Sequence, residues 1–410
     1  TFLEESGVEI VEGYCASNIP ESADVIVIGN TISRGNEEAE ETLNRKLLYQ
    51  SLPEVLKDRF LRGKRNFVVT GTHGKTTTSA ILAWILQSAG CEPGYMIGGI
   101  PANLGRGACF SDSKFNVLEG DEYDTAFFDK RSKFLHYLPE FAIINNIEFD
   151  HADIYNSLDE IKLTFRRFLG IVPSGGLAVA NGDDPNVLEV IEGAPCPVRT
   201  LGFGNRCDMK IEKVDYRTDG SSFTIGGEDY TIPMVGEFNV RNAAMAAAGG
   251  MFAGLGAAEI RAAFGSFRGI ARRQELRGEV RGVRVIDDFA HHPTAIRLAV
   301  NALRQRYPEA RLWVVFEPRS NTTRRNIFQA ELAEALASAD RAVVPAIADP
   351  QKFEEDERLD PEQLVRDIGL RGGKAVYLAT VEEIADHVAA VAEEGDVVAV
   401  LSNGGFGGLH

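Results

Sequence analysis

Residues 67–78 read Phe-Val-Val-Thr-Gly-Thr-His-Gly-Lys-Thr-Thr-Thr, and this stretch decides the fold of the 410-residue chain. Its apolar start is typical of a buried strand and its glycine-rich middle of a turn, and residues 79–86 continue as an apolar helix. Backbone N–H groups in such a turn, together with the positive end of the helix, favour phosphate binding. We therefore expect Lys75 to reach the outer phosphates of a nucleotide and the Thr76 hydroxyl to bind Mg²⁺. The predicted nucleotide-binding residues of this phosphate loop are Gly71, Thr72, His73, Gly74, Lys75, Thr76 and Thr77.

The phosphate loop is shorter than the common G-x-x-x-x-G-K-[ST] pattern, which would need glycine where the chain has Val69. A chance Gly-Lys-Thr between a strand and a helix is the alternative interpretation, and the flanking pattern makes it the poorer one. A nucleotide switch or motor would need the longer loop, and a GTPase would also need an Asn-Lys-x-Asp motif; the sequence contains neither. A non-catalytic nucleotide-binding relative would be expected to lose Lys75, Glu119 or His151, and all three are present.

Composition indicates a globular protein of two or three domains, with 44% hydrophobic and 25% charged residues. The apolar runs are shorter than the roughly 18 to 20 residues that a membrane-spanning helix needs, so no span is predicted. Forty-three basic residues against 60 acidic ones give a net charge of −17, which argues against nucleic acid as a partner. The five cysteines are odd in number and lack C-x-x-C spacing, which predicts neither a disulfide framework nor a zinc site and fits a reducing cytoplasm.

Strand and helix patterns alternate along the chain, which indicates an α/β fold. The N-terminal part predicts a strand over residues 24–29 and a helix over about 37–52. The part after the phosphate loop predicts strands at 115–119, 141–145 and 177–180, a helix at 158–169, antiparallel hairpins at 209–232 and a helix at 239–255. A fresh α/β pattern from about residue 276 predicts a C-terminal domain with strands at 283–287, 312–316, 342–345, 375–378 and 397–401.

Acidic residues close two of the predicted strands beside the phosphate loop. Glu119 and Glu122 follow one strand, and their carboxylates could hold Mg²⁺, although loop carboxylates are usually only solvated. Residues 145–153 follow the next strand and contain His151 within an acidic cluster. Because parallel strands collect ligand groups at their carboxyl ends, His151 is a candidate for a second metal ligand.

A third cluster, at residues 287–294, reads Asp-Asp-Phe-Ala-His-His-Pro-Thr at the end of the first C-terminal strand. It suits contacts with a substrate or a ribose across a domain cleft. A helix entry with an aspartate cap and proline at an early position explains the same residues structurally, and both interpretations stay open. Basic sites for anionic substrates are Arg272 with Arg273 and Arg319 with Arg324 and Arg325, although such pairs are more often solvated surface.

Together these segments resemble the Mur ligase family of ATP-dependent peptidoglycan amide ligases, and the resemblance covers nearly the whole chain. Besides the phosphate loop it rests on residues 120–134, 148–153, 287–294, 317–322 and 402–408. It implies a three-domain α/β fold with a central P-loop ATPase-type domain and Rossmann-like first and last domains. The implied domains are an N-terminal UDP-sugar-binding domain at residues 1–63, a central ATP-binding domain at 64–275 and a C-terminal α/β domain at 276–410. The first domain is expected to lack its usual opening strand and glycine-rich turn, and with them part of the UDP-sugar site.

The resemblance implies an ADP-forming ligase of the bacterial cytoplasm that uses ATP and Mg²⁺. The carboxylate of UDP-N-acetylmuramate would be converted to an acyl phosphate, which the amine of the tripeptide L-alanyl-γ-D-glutamyl-meso-diaminopimelate would attack. The alternative acceptor is L-alanine. The branch of the family that uses L-alanine lacks the Phe-Phe-Asp-Lys-Arg-Ser-Lys segment at residues 127–133, so the sequence favours the tripeptide.

The family's functional positions carry over residue by residue. Those implied for catalysis are Lys75, Glu119 and His151, and those for metal are Thr76, Glu119 and His151. Those implied for further nucleotide contacts are Asn239, Asn242, Arg272, Asp288 and His291. Those suggested for substrate contacts are His292, Arg319, Ser320, Asn321, Thr322, Ser402, Asn403, Gly404 and Gly405. Some relatives carry a carbamylated lysine in the helix after the metal histidine; we interpret Lys162, in that helix, as a surface residue instead.

Overall fold

The computed structural model describes residues 2–409, and all statements on the fold refer to this range. The N-terminal part consists of α1 (Phe2–Glu5), β1 (Ile26–Ile28), α2 (Glu37–Asn44), β2 (Tyr49–Ser51) and α3 (Leu52–Leu56). A 3-10 turn lies at Ala16–Asn18 and a π-helical turn at Lys57–Leu61. The strands β1 and β2 form a two-stranded parallel sheet.

The predicted helix over residues 37–52 is wrong in its second half. The α2 helix begins after Asn36, whose side chain accepts hydrogen bonds from the backbone N–H groups of Glu38 and Ala39 at 3.1 Å each. It ends at Asn44, and Lys46 has a left-handed backbone with φ of 54°. The chain then forms β2, because pairing with β1 overrides the local helical pattern.

The central part is built on a ten-stranded sheet in the order β14-β13-β12-β11-β10-β9-β3-β6-β4-β5, with β7 and β8 as a separate hairpin. Its strands are β3 (Arg65–Thr70), β4 (Gly94–Met96), β5 (Ala108–Cys109), β6 (Phe115–Glu119), β7 (Asp124–Ala126), β8 (Asp129–Ser132), β9 (Pro139–Ile144), β10 (Leu177–Asn181), β11 (Val198–Gly202), β12 (Met209–Tyr216), β13 (Ser221–Ile225) and β14 (Glu228–Ile232). Its helices are α4 (Lys75–Ser88), α5 (Leu158–Leu169), α6 (Pro185–Ile191), α7 (Glu237–Phe252) and α8 (Ala257–Ser266), with a 3-10 turn at Lys133–His136. The predicted hairpins at 209–232 are confirmed by the antiparallel pairs β12–β13 and β13–β14.

The helices α4 and α7 pack together over one face of the central sheet. They can approach closely because α7 carries glycine at the contact: a Cβ on Gly249 would lie 2.8 Å from Leu82, and one on Gly250 would lie 3.0 Å from Ile85. On the other face, Phe165 and other apolar residues of α5 pack against the sheet with Phe134. The sheet is therefore buried on both faces, which explains the uninterrupted apolar run of β3.

The C-terminal part is a six-stranded sheet in the order β15-β16-β20-β17-β18-β19, in which only β15 runs antiparallel. Its strands are β15 (Glu275–Val280), β16 (Val283–Asp288), β17 (Leu312–Phe316), β18 (Arg341–Val344), β19 (Ala375–Tyr377) and β20 (Val397–Leu401). Its helices are α9 (Pro293–Arg306), α10 (Gln329–Leu336), α11 (Pro361–Leu370) and α12 (Val381–Val391), with 3-10 turns at Asn326–Phe328, Pro350–Lys352, Glu355–Glu357 and Phe406–Gly408. The strands predicted for this part are confirmed to within one residue at each end.

The parallel strands of both large sheets bring their predicted motifs to one edge. In the central sheet β3 lies between β9 and β6, so the phosphate loop emerges beside Glu119 and Asn145. In the C-terminal sheet β20 lies between β16 and β17, which places residues 287–294, 317–322 and 402–408 side by side. The two edges face each other. No helix within residues 2–409 is long and apolar enough to span a bilayer.

Candidate active site

A cavity of about 620 Å³ lies where the three parts of the chain meet. The N-terminal part contributes residues 28–30 with Leu52 and Pro53, and the central part contributes the phosphate loop. The C-terminal part and the segment leading into it contribute Arg273, Asp288, Phe289, His291, Ser320 and Asn403. A cavity shared by three domains is a common position for an enzyme that brings two substrates and a nucleotide together.

Two glycines give the phosphate loop its shape. Gly71 has φ of 125°, and a Cβ there would lie 3.0 Å from the Asn145 backbone nitrogen. Gly74 has φ of 81° and precedes α4; a Cβ there would lie 2.5 Å from Oδ1 of Asn242. Only glycine suits these positions, because both the backbone angle and the space exclude a side chain.

The end of β9 holds the phosphate loop in place. The Thr72 N–H donates to the Asn146 carbonyl at 3.1 Å, and the His73 N–H donates to Oδ1 of the same residue at 2.7 Å. The Glu148 N–H donates to the Thr72 hydroxyl at 2.9 Å. The phosphate loop is therefore positioned by the segment that follows β9 and leads to His151.

Lys75 is largely buried, with 13% of its side chain exposed, and is held by three oxygen acceptors. Its Nζ donates to the Gly71 carbonyl at 2.8 Å, the Thr72 carbonyl at 3.3 Å and Oε2 of Glu122 at 2.8 Å. Burial lowers the pKa of Lys75, but the negative charge of Glu122 outweighs it and the net direction is upward. Burial raises the pKa of Glu122, and the Lys75 charge with the His151 hydrogen bond reverses this, so the net direction is downward. Both groups are charged at neutral pH.

The side-chain oxygens of Thr76 and Glu119 lie together at the start of α4. The Thr76 hydroxyl donates to Oε1 of Glu119 at 2.8 Å, and the Gly98 N–H donates to Oε2 at 2.6 Å. Hydroxyl and carboxylate oxygens are the ligands that Mg²⁺ prefers. Both side chains line the cavity, so these two residues fit the metal position expected from the sequence.

His151 lies opposite Lys75 on the other side of Glu122. Its Nε2–H donates to Oε1 of Glu122 at 3.1 Å, and its ring lies 4.2 Å from the ring of Tyr123. Burial lowers the pKa of His151, but the hydrogen bond that it donates to Glu122 and the charge of that carboxylate outweigh this, so the net direction is upward. Asp121, Glu122 and His151 present donor atoms within 4.8 Å of one another, so they fit a second metal position.

The two consecutive arginines after α8 have different positions. Arg273 donates from Nη2 to the Thr76 hydroxyl at 3.0 Å and lines the cavity. Arg272 does not line it; its Nη2 donates to the Ser402 and Gly404 carbonyls at 2.7 Å each. Of the two arginines, Arg273 is therefore the one that lines the cavity, and Arg272 connects the domains; the nucleotide contact of Arg272 stays a prediction.

The other expected nucleotide residues are divided between the cavity and the layer beneath it. Asn239, Asp288 and His291 line the cavity. Asn242 lies under the loop, where its Oδ1 accepts from the Thr78 hydroxyl at 3.2 Å. Burial raises the pKa of Asp288, which accepts from the N–H groups of Gln274 and Ala290 at 2.8 and 2.7 Å. Burial lowers the pKa of His291.

Of the expected substrate residues, Ser320 and Asn403 line the cavity. Asn321 and Thr322 instead connect the domains: the Asn321 side chain donates to Asp153 at 3.0 Å, and the Thr322 hydroxyl accepts from the Ala152 N–H at 3.3 Å. The others lie outside the cavity lining; these are His292, Arg319, Ser402, Gly404 and Gly405. Ser402 is fully buried and donates to Glu317, and the Arg319 side chain lies over Gly404.

His292 is a structural residue of the C-terminal domain. It precedes α9, where its Nδ1 accepts from the Thr294 N–H at 3.3 Å. Its Nε2–H donates to the Phe149 carbonyl at 3.2 Å. The helix entry with an early proline is therefore confirmed, but the cap is His292 and not the expected aspartate, while His291 lines the cavity.

Lys162 is not a surface residue, contrary to the sequence interpretation. It is 7% exposed, and its Nζ donates to Oε2 of Glu189 at 2.5 Å. The amphipathic pattern of α5 buries this position, and the long side chain reaches a carboxylate on α6.

Three residues in or beside the site are not among the functional positions that the sequence implies. Glu119 is implied as a metal ligand and Glu122 is not, although the structure buries Glu122 between Lys75 and His151. Arg272 is implied for the nucleotide, whereas Arg273 lines the cavity. Glu148, which lies 3.4 Å from Nε2 of His73, gave no signal beyond its place in an acidic segment.

Known proteins match the whole chain. The model for the Mur ligase family catalytic domain matches residues 1–63, that for the Mur ligase middle domain residues 69–250, and that for the Mur ligase glutamate ligase domain residues 272–404. A UDP-N-acetylmuramate–L-alanyl-γ-D-glutamyl-meso-2,6-diaminoheptandioate ligase from Escherichia coli K12 is 40% identical over 100% of this chain and 88% of its own length. A UDP-N-acetylmuramate–L-alanine ligase from Geotalea uraniireducens is 34% identical over 98% of this chain and 86% of its own.

A solved structure has the same fold over the full length. The crystal structure of a murein peptide ligase from Psychrobacter arcticus superimposes with a TM-score of 0.72 at 32% identity, covering 100% of this chain and 89% of that one. The chain therefore belongs to the Mur ligase family, whose members are ATP-dependent, ADP-forming amide ligases.

Proposed function

We propose that the protein joins UDP-N-acetylmuramate to the tripeptide L-alanyl-γ-D-glutamyl-meso-diaminopimelate, with conversion of ATP to ADP and phosphate. The observation that carries this is the position of Lys75, the Thr76–Glu119 pair and His151 on one cavity bounded by three domains. The relatives at 40% and 37% identity are named for this reaction. The segment at residues 127–133, which favours the tripeptide, lies in and beside the β7–β8 hairpin.

The reaction consists of two transfers. A carboxylate oxygen of the UDP-sugar attacks the γ-phosphorus of ATP, the bond to the β-phosphate oxygen breaks, and ADP leaves. The amine of the tripeptide then attacks the acyl carbon, the carbon–oxygen bond breaks, and phosphate leaves with that oxygen. The first step brings two anions together, and the second expels an anionic phosphate as a neutral amine attacks and gives up a proton. The site must therefore supply positive charge and hold the groups in line.

Different residues of this chain would supply the positive charge, hold the metal ions and contact the nucleoside. Lys75 and Arg273 are the cations nearest the phosphate loop and would offset charge on the phosphates. Thr76 and Glu119 would hold one Mg²⁺, and Glu122 with His151 would hold a second. Bound there, Mg²⁺ supplies Lewis-acid stabilisation of the phosphoryl oxygens. The Asn239 and His291 side chains would contact the nucleoside from opposite sides of the domain boundary.

Glu122 also offsets the charge of Lys75. Its carboxylate accepts from Nζ of Lys75, so the largely buried ammonium is paired. ATP would take over Lys75 and leave Glu122 to His151 and metal. Because the substrates are ATP and a UDP-sugar, we infer that the reaction takes place in the bacterial cytoplasm.

An isotope experiment tests the chemistry. UDP-N-acetylmuramate labelled with ¹⁸O in its carboxylate should pass one ¹⁸O to the released phosphate, because that oxygen forms the acyl phosphate bond. Omission of the tripeptide should stop phosphate release. Unlabelled phosphate during full turnover would show that water attacks ATP and would contradict the proposal.

A further inference from the structure

A second cluster of metal-binding side chains lies at the phosphate loop, and of its three members only His73 lines the cavity. It consists of His73 in the loop, Glu148 after β9 and His292 before α9. Nε2 of His73 lies 3.4 Å from Oε2 of Glu148, and Nδ1 of His292 lies 3.5 Å from the same oxygen. The cluster joins the central domain to the C-terminal domain, and nothing in the proposed reaction uses Glu148 or His292.

The separations match those of zinc ligands. Zinc bonds of about 2.0 to 2.1 Å in a tetrahedron put neighbouring ligand atoms about 3.3 to 3.4 Å apart. The two measured separations from Oε2 are close to that value, and the three donor atoms lie within 4.8 Å of one another. Two imidazoles and one carboxylate are also a ligand set that zinc uses with water in the fourth position.

The hydrogen bonds around His292 favour a cation rather than a second hydrogen bond to Glu148. Its Nε2 faces the Phe149 carbonyl at 3.2 Å and must carry the proton, so Nδ1 carries a lone pair. That lone pair points to a carboxylate oxygen and accepts only a long bond of 3.3 Å from the Thr294 N–H. A histidine that ligates a metal commonly donates its other N–H to a backbone carbonyl, which is the arrangement here.

The surroundings hold the cluster in shape. The His73 N–H donates to Asn146 at 2.7 Å and the Glu148 N–H donates to Thr72 at 2.9 Å, so both side chains start from fixed backbone. The His73 and His292 rings lie 4.6 Å apart. Glu148 keeps 31% of its side chain exposed, which leaves a path for the ion and a place for the water ligand.

We propose that His73, Glu148 and His292 bind one Zn²⁺ or a cation of similar preference, which links the phosphate loop to the C-terminal domain. The site is separate from the Thr76–Glu119 and Glu122–His151 positions, which are rich in oxygen ligands.

Co²⁺ spectroscopy on the full chain tests this, because tetrahedral Co²⁺ gives intense visible absorption. The metal-free protein is titrated with Co²⁺ and then with Zn²⁺ against a chromophoric chelator. Wild type and a His151→Gln variant should both show the tetrahedral bands and tight Zn²⁺ binding. His292→Asn, which keeps a side-chain oxygen to cap α9, should lose the bands and at least about 100-fold in Zn²⁺ affinity.

Glu148→Gln should lose the tetrahedral bands as well. Because this variant leaves the α9 cap intact, it tests the proposed metal site even if His292→Asn does not fold. Circular dichroism of each metal-free variant confirms folding. The proposal is overturned if wild type binds no Zn²⁺, or if the bands persist in Glu148→Gln and disappear in His151→Gln.

Discussion

Replacement of Glu122 by glutamine should destabilise the nucleotide-free protein strongly. The carboxylate is buried, accepts from Lys75 at 2.8 Å and from His151 at 3.1 Å, and offsets the Lys75 charge. Breaking a buried pair by removing one charge costs about 3 to 5 kcal/mol, and the low end applies because glutamine keeps the volume and one acceptor. At about 2 to 4 °C per kcal/mol, the unfolding temperature of the central domain should fall by roughly 6 to 12 °C.

The same variant should recover part of that stability when ATP is bound in the presence of EDTA, a condition that removes the metal role of Glu122. The phosphates pair with Lys75 in both proteins, so the difference in unfolding temperature between wild type and Glu122→Gln should shrink at saturating metal-free ATP. Differential scanning fluorimetry measures both states. Glu140→Gln is the matched control: its 2.7 Å pair with Arg65 lies in the same domain but is about one-third exposed, so its loss should cost about 1 kcal/mol or less. Equal shifts for the two variants, or a Glu122→Gln difference that grows with nucleotide, would refute the assigned role of Glu122.

Three further changes have defined outcomes. Lys75→Ala should abolish turnover at saturating ATP in a phosphate-release assay, and rates like those of wild type would refute its role. Gly74→Ala should lower the unfolding temperature and the ATP affinity more than Gly254→Ala. Both glycines have positive φ, which costs an alanine about 1 kcal/mol, but only the Cβ added at position 74 would meet a neighbouring atom, at 2.5 Å. His136→Gln should reduce the stability lost between pH 7 and pH 5. Burial lowers the pKa of His136, so below about pH 6.5 the unfolded chain binds a proton at this histidine and the folded chain does not. The free energy of unfolding then falls by up to about 1.4 kcal/mol for each pH unit. Equal losses of stability in wild type and His136→Gln would contradict this.

Much of the fold could be predicted because its signals are local. The run of residues 67–78 combines a buried strand, a turn that needs glycine and a helix start, and the structure has all three in place. The edge positions of Glu119 and His151 follow from parallel strands, since neighbouring strands end together. The prediction of a helix over residues 37–52 was wrong at its end, because the pairing of β2 with β1, about 20 residues earlier, is not encoded in the local pattern.

The details of the site depended on tertiary structure. Arg272 and Arg273 are identical in type, and the left-handed backbone of Arg272, with φ of 60°, decides which one reaches the cavity. Glu122 resembles any loop carboxylate until Lys75 and His151 are placed on either side of it. His292 is adjacent to a cavity residue, yet the start of α9 turns it away. Neighbouring residues of the same kind therefore differ in role through one backbone angle or one cap.

The proposed reaction is tested most directly by phosphate release with ATP and UDP-N-acetylmuramate, comparing the tripeptide with free L-alanine as acceptor. The tripeptide should support turnover, and L-alanine should give none above the rate without acceptor. Turnover with L-alanine and none with the tripeptide would contradict the account and assign the protein to the alanine-adding branch.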